Sequence, residues 1–290
     1  MRTVLDIKYG DFDTSYFDLY LPDSNGFDLV IWFHGGGLEK GSRKNIKFAE
    51  DLVNYGIAVA SVEYRMYPNA KFPDFIIDAA NSVKFITDYI LRYGKAERIF
   101  ISGQSAGAYI TMMLALNEAY LENAGVSKAS INGFISDSSQ MTTHFNVLRE
   151  RGLDSRVERI DEAAPLFYLN EDTDVNNLLI LYYSEDMYCR PEQTRLFYKS
   201  IIRFSPKSNI KCIELKGGHC NGSSVRNERG TFDRDPYTFY GACHLLFEKL
   251  INKYPNSEIL VLTPLHRRRK MCPKPMASDT LITMQYWRIM

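Results

Sequence analysis

Short apolar runs separated by turn residues set the rhythm of the chain. Val4 to Lys8 and Tyr16 to Leu21 predict two strands, followed by a turn at Pro22-Asp23-Ser24-Asn25-Gly26. Leu29 to Phe33 is an unbroken apolar run, the pattern of a strand buried on both faces, and Ile57 to Val62 predicts another buried strand. Between them, Asn45 to Tyr55 has helical spacing and stops at Gly56. Ile76, Ile77, Ala80, Val83, Ile86 and Ile90 recur at helical spacing, so Asp74 to Tyr93 predicts a long helix between Pro73 and Gly94. Further strands are predicted at Arg98 to Ser102, Ile131 to Ile135, Leu178 to Tyr183 and Ile210 to Leu215. Helices are predicted at Ala106 to Ala119, Pro191 to Phe204 and Tyr237 to Lys253. Strands alternating with helices predict an α/β fold: a mostly parallel central sheet with helices on both faces.

Two segments break the alternation. Residues 136–177 lie between two strands and are polar and partly helical, a candidate lid. Within them Met141, Phe145, Leu148, Leu166, Phe167 and Tyr168 are expected to line a modest acyl pocket. Arg149, Glu150, Arg151, Asp154 and Arg156 are expected to form a wet rim. Residues 265–290 follow a candidate extra strand, Ile259 to Leu262, and lack periodicity. The expected organisation is one domain over 1–264 and a peripheral or disordered tail over 265–290.

At 290 residues the chain has a length that α/β folds reach as a single unit. Lys and Arg together number 35, as do Asp and Glu, so the balanced charge gives no general attraction to nucleic acid or anionic membrane. The short basic run Arg267 to Lys270 reads as a solvated tail. No window is long and apolar enough for a membrane span, and Met1 to Gly10 lacks the pattern of a secretory signal. Five cysteines without a CxxC pair suggest reduced thiols and a cytoplasmic location. No His/Cys/Asp cluster has metal-ligand spacing, and no cofactor is expected.

The chemistry concentrates at Gly103-Gln104-Ser105-Ala106-Gly107, a G-x-S-x-G sequence that follows a predicted strand and opens a predicted helix. That context turns the chain sharply and exposes the Ser105 hydroxyl in front of a helix N-terminus, which favours developing negative charge. Ser105 is the expected nucleophile. His34-Gly35-Gly36-Gly37 follows another predicted strand. Acyl transfer builds an oxyanion that needs preorganised N–H donors, and the amides of Gly36, Gly37 and Ala106 are the expected hole. His34 reads as a loop-orienting residue. A serine hydroxyl needs a base. His219, in Lys216-Gly217-Gly218-His219 just past the strand at 210–215, is the expected one; His244 sits in a predicted helix, His144 in the candidate lid and His266 in the tail. The acid is expected in Ser184-Glu185-Asp186-Met187, where Asp186 is preferred, with Glu185 and Asp137 as alternatives.

Together these residues resemble α/β-hydrolase fold carboxylesterases of the hormone-sensitive-lipase type and the small feruloyl and acetyl esterases. The resemblance runs over about residues 15–255, through HGGG at 34–37, Ser61-Val62-Glu63-Tyr64-Arg65, GQSAG at 103–107, Ser184-Glu185-Asp186 and Gly218-His219. It implies hydrolysis of short-chain or compact aromatic carboxylic esters, acetyl or feruloyl groups among them, through an acyl-enzyme on Ser105. Ala108 stands where the family usually has a further Gly, and a strand starting near Met1 leaves no room for an N-terminal cap. Kynurenine formamidases look similar too, but carry Trp after the glycines where this chain has Leu38. An amidase or peptidase using the same triad, and a non-catalytic ligand-binding protein on the same fold, are the competing readings. The expected partner is a small-molecule ester.

Overall fold

The computed structural model describes residues 1–220 apart from 47, 176, 207 and 208. Eight strands form one sheet: β1 (Arg2–Lys8), β2 (Tyr16–Leu21), β3 (Gly26–Phe33), β4 (Ile57–Val62), β5 (Lys95–Gln104), β6 (Gly133–Asp137), β7 (Leu178–Glu185) and β8 (Ile210–Gly218). Their order across the sheet is β1-β2-β4-β3-β5-β6-β7-β8. β1 and β2, and β2 and β4, pair antiparallel; every other neighbouring pair is parallel. Six helices accompany them among the described residues: α1 (Ala49–Asn54), α2 (Asp74–Tyr89), α3 (Ala106–Leu116), α4 (Ala119–Asn123), α5 (Phe145–Glu150) and α6 (Arg190–Phe204).

Burial follows the sequence pattern. β4 is buried at every position and β3 at all but its first, as strands covered on both faces must be. α3 is apolar around its whole circumference and accordingly lies in the core, with Ala106 to Ala115 buried throughout. β8 alternates between partly buried and exposed positions.

Three predicted helices are shorter than expected. Over 45–55 the structure has a one-turn 3₁₀ segment at Arg43–Asn45 and then the six-residue α1. The buried Arg43 explains the interruption. Its guanidinium pairs with Asp6, Asp18 and Glu63, and its carbonyl accepts from the Ser61 hydroxyl, so this stretch is tied to β2 and β4 rather than free to coil. The predicted 106–119 helix breaks at Asn117, whose ψ of 89° leaves the helical region, and resumes as α4. The predicted 74–93 helix ends at Tyr89 and passes into a 3₁₀ turn at Ile90–Arg92.

The segment between β6 and β7 contains α5, a 3₁₀ turn at Pro165–Tyr168 and an ion-paired loop. Met141 and Leu148, expected to line a pocket, are built into the interior instead, while Phe167 is half exposed. Among the described residues no helix is long and apolar enough to cross a membrane. The expected helix at 237–253, the strand at 259–262 and the domain boundary at 264/265 lie outside the described residues.

Candidate active site

Ser105 occupies the single residue between β5 and α3. Its φ of 54° and ψ of −114° fall in a sparsely populated region that costs about 1–3 kcal/mol and persists only where surroundings enforce it. Here they do. The Ser105 N–H donates to the Asp137 carbonyl at 2.8 Å, tying the turn to the end of β6. A Cβ on Gly107 would overlap the Phe33 carbonyl, and one on Gly103 would overlap Gly107 itself, so only glycine lets the turn close this tightly. Ala108, where a further Gly was expected, is fully buried in α3.

The glycine loop after β3 lies directly against this turn: a Cβ on Gly35 would sit 3.1 Å from Ser105 Cβ. Gly36 and Gly37 both adopt positive φ, 121° and 69°. The Gly36 carbonyl accepts from the backbone of Lys40 at 3.1 Å and Glu39 at 3.3 Å, closing a small turn. His34 anchors the loop. Its Nε2 lies 2.8 Å from Glu63 Oε1, its Nδ1 lies 2.7 Å from the Gly35 carbonyl, and its ring stacks on Tyr64 at 4.4 Å. The Tyr64 hydroxyl donates to the His34 carbonyl at 2.8 Å, and burial pushes this phenol's pKa up, keeping it a donor. Burial alone would raise Glu63. The hydrogen bond and charge of His34, the Arg43 N–H and the Ser42 hydroxyl overcome it and hold the carboxyl below its usual range.

At the other end of the sheet, β7 and β8 run parallel, with Glu185 paired to Gly218. The residues that follow, Asp186 and His219, are therefore set side by side. His219 Nδ1 donates to Asp186 Oδ1 at 2.6 Å, and that oxygen also accepts the Met187 N–H at 2.6 Å. His219 Nε2 lies 2.8 Å from Ser105 Oγ. The chain thus brings Ser105, His219 and Asp186 into one hydrogen-bonded line from three separate loops. The Asp186 side chain is 2% exposed and that of His219 23%, so the acid is sealed while the imidazole stays reachable.

The alternative acids have other surroundings. Glu185 is exposed at the strand end. Asp137 is buried and accepts from the Ser138 hydroxyl at 3.0 Å and the Gln104 amide at 3.4 Å, buttressing the serine turn. Two neighbours were not assigned to the site from sequence. Arg190, at the start of α6, is buried, which lowers its pKa, opposed by the charges of Asp186 and Glu158. His144 caps α5 and stacks on Phe145 at 4.5 Å. Burial first, then the charges of Arg190, His219 and Arg149, holds its pKa well below the usual imidazole value. Among the described residues no group of three or more His, Cys, Asp or Glu side chains is arranged to hold a metal ion.

The BD-FAE family profile matches residues 17–201, more than half of the chain and spanning both the glycine loop and the serine turn. The chain belongs to the BD-FAE family. Esterase B of Lactobacillus rhamnosus is similar in structure, with a TM-score of 0.67 over 88% of this chain and 89% of that one; at 15% identity the likeness is one of fold, the α/β-hydrolase fold. A probable isoprenylcysteine α-carbonyl methylesterase of Oryza sativa is 34% identical over 121 residues, 40% of this chain and 28% of that protein. A kynurenine formamidase of Danio rerio is 32% identical over 116 residues, 39% of each. The chain thus spans well under half the length of these relatives.

Proposed function

We propose that this member of the BD-FAE family is a serine carboxylesterase working through an acyl-enzyme on Ser105. The observation that carries the reading is the line Ser105 Oγ, His219 Nε2, His219 Nδ1, Asp186 Oδ1, with separations of 2.8 Å and 2.6 Å, at a serine held with φ of 54°. In this reading His219 takes the Ser105 proton as Oγ attacks the ester carbonyl. Asp186 fixes the imidazole tautomer and stabilises the imidazolium that forms. The developing oxyanion is received by the amides of Gly36, Gly37 and Ala106, the last at the N-terminus of α3. His219 then returns the proton to the departing alcohol, and water hydrolyses the acyl-enzyme by the same steps. The substrates are short-chain or compact aromatic esters, acetyl and feruloyl groups included.

One observation favours a second reading. A kynurenine formamidase is 32% identical over 39% of this chain, and a Ser-His-Asp triad serves an amide leaving group equally well. The deciding experiment compares p-nitrophenyl acetate and methyl ferulate with an aryl formamide, using the native chain and Ser105→Ala. The expectation is ester turnover that falls by about 10⁶ in kcat in the variant and is abolished by a fluorophosphonate bound to Ser105. Preferential turnover of the formamide would move the assignment to the amidase reading. Retention of more than a few per cent of ester hydrolysis by folded Ser105→Ala would remove Ser105 from the chemistry.

A further inference from the structure

The segment between β6 and β7 reaches the glycine loop through α5. Arg149 pairs with Glu39 at 2.7 Å, the ring of Phe145 lies 3.2 Å from where a Gly37 Cβ would stand, and Asn146 Nδ2 donates to the Gly37 carbonyl. These contacts differ in kind. The Arg149 and Glu39 side chains are 52% and 35% exposed, and such pairs contribute little. Asn146 is buried, and its Oδ1 has no hydrogen-bond partner. A carbonyl accepts only from a donor, so the amide nitrogen must face Gly37, which leaves Oδ1 as the unmet atom. A buried acceptor left unmet lowers stability, so the Asn146 amide is not accounted for by packing alone.

Geometry gives it a use. Gly36 O is engaged by Lys40 and Glu39, so the Gly37 N–H, trans across the same peptide, points away from that turn. The next peptide carries the Gly37 carbonyl, which Asn146 holds. A glycine at φ of 69° has wide freedom, and here both peptides flanking it are clamped, one by its own turn and one by Asn146. Asn146 is itself well anchored. Its N–H donates to His144 Nδ1 at 3.2 Å, and the preceding Phe145 N–H donates to Gln140 Oε1, which also accepts from the buried Arg190 at 2.9 Å.

We infer that Asn146 is a positioning residue for the reaction at Ser105. Its amide fixes the Gly37 peptide so that the Gly36 and Gly37 amides stay aimed at the oxyanion. This rests on the reading of Ser105 as the acyl-transfer nucleophile. The test compares native chain, Asn146→Leu, Asn146→Ser and Arg149→Ala in two assays: the rate at which a fluorophosphonate labels Ser105, followed by mass spectrometry, and kcat and KM for p-nitrophenyl acetate. Asn146→Leu is expected to lower both the labelling rate and kcat by about 10–100-fold, less than the roughly 10²–10³ for loss of an oxyanion donor itself. KM should change little and melting temperature by a few degrees at most. Asn146→Ser, which leaves room for water to reach Gly37 O, should fall between, and it carries the test if the leucine variant does not fold. Arg149→Ala should match the native chain. Native labelling and kcat in the Asn146 variants, or a change in KM alone, would overturn the inference while leaving the hydrolase reading intact. A native chain that is not labelled at Ser105 would overturn both.

Discussion

Ser105 and His219, which the structure brings within 2.8 Å of each other, each sit in a local sequence signal: a serine between glycines at a strand-to-helix junction, and a histidine after Gly217-Gly218 at a strand end. Asp186 was singled out one step less directly, from its place after a strand, and in the structure it is Asp186 rather than Glu185 that meets His219. Glu185, the last residue of β7, is exposed, while the Asp186 side chain just beyond the strand is sealed beside His219. We expect Asp186→Asn to lower kcat for p-nitrophenyl acetate by about 10³–10⁴ at neutral pH, by leaving the imidazole in the wrong tautomer. Glu185→Gln should stay within about twofold of native, since an exposed surface change is usually near neutral. If Glu185→Gln were the more damaging of the two, the assignment of the acid would be wrong. Glu63 and Asn146 were not readable as partners of the glycine loop. Their contacts span 29 and 109 residues and depend on side-chain placement, which no spacing in the chain encodes.

Among the elements, strands were the most legible, because short apolar runs such as Leu29 to Phe33 and Leu178 to Tyr183 leave few alternatives in an α/β chain. α5 was the least legible. Its six residues are under two turns, too short to show a helical period, and its start is fixed by a histidine rather than by one of the usual capping side chains. That histidine makes the element sensitive to pH. His144 accepts the Asn146 N–H through Nδ1, a role open only to the neutral ring, and the fold holds its pKa well below the ordinary 6.5. The unfolded chain therefore binds a proton that the folded chain does not. The resulting stability is fully present above pH 6.5 and is lost as pH falls below it toward the folded-state value. Glu63, held below its ordinary 4.5, loses its contribution only in a more acidic window. We expect the melting temperature to fall between pH 7 and pH 5, and His144→Asn, which keeps a capping acceptor but cannot titrate, to flatten that slope. An unchanged slope in the variant would place the titrating group elsewhere.

On the scale of the whole molecule, the candidate site draws Ser105 from the middle of the sheet and Asp186 and His219 from neighbouring strands at one side, with the glycine loop following β3. The interior placement of Met141 and Leu148 withdraws two of the side chains that a long acyl tunnel would need, while the loop beyond α5 is occupied by ion pairs such as Arg151 with Asp161 and Glu162. Each methylene contributes about 0.8 kcal/mol only while it enters an apolar space. We therefore expect kcat/KM across p-nitrophenyl esters of increasing length to peak between acetyl and butyryl; a maximum at ten carbons or beyond would show a lipase-like tunnel. The same arrangement makes the molecule divisible. Ser105 and the glycine loop precede the exposed residues Asn170, Glu171 and Asp172, and Asp186 and His219 follow them. Under the proposed mechanism, opening the chain there yields one piece with Ser105 and no His219, and another with His219 and no serine to activate. Each would be silent alone, and activity would return only when fused partners bring the pieces close enough for β7 to rejoin β6 in the register Phe134 to Leu178 through Asp137 to Leu181. A hydrolase divided in this way would report proximity between two other proteins by releasing a chromophore.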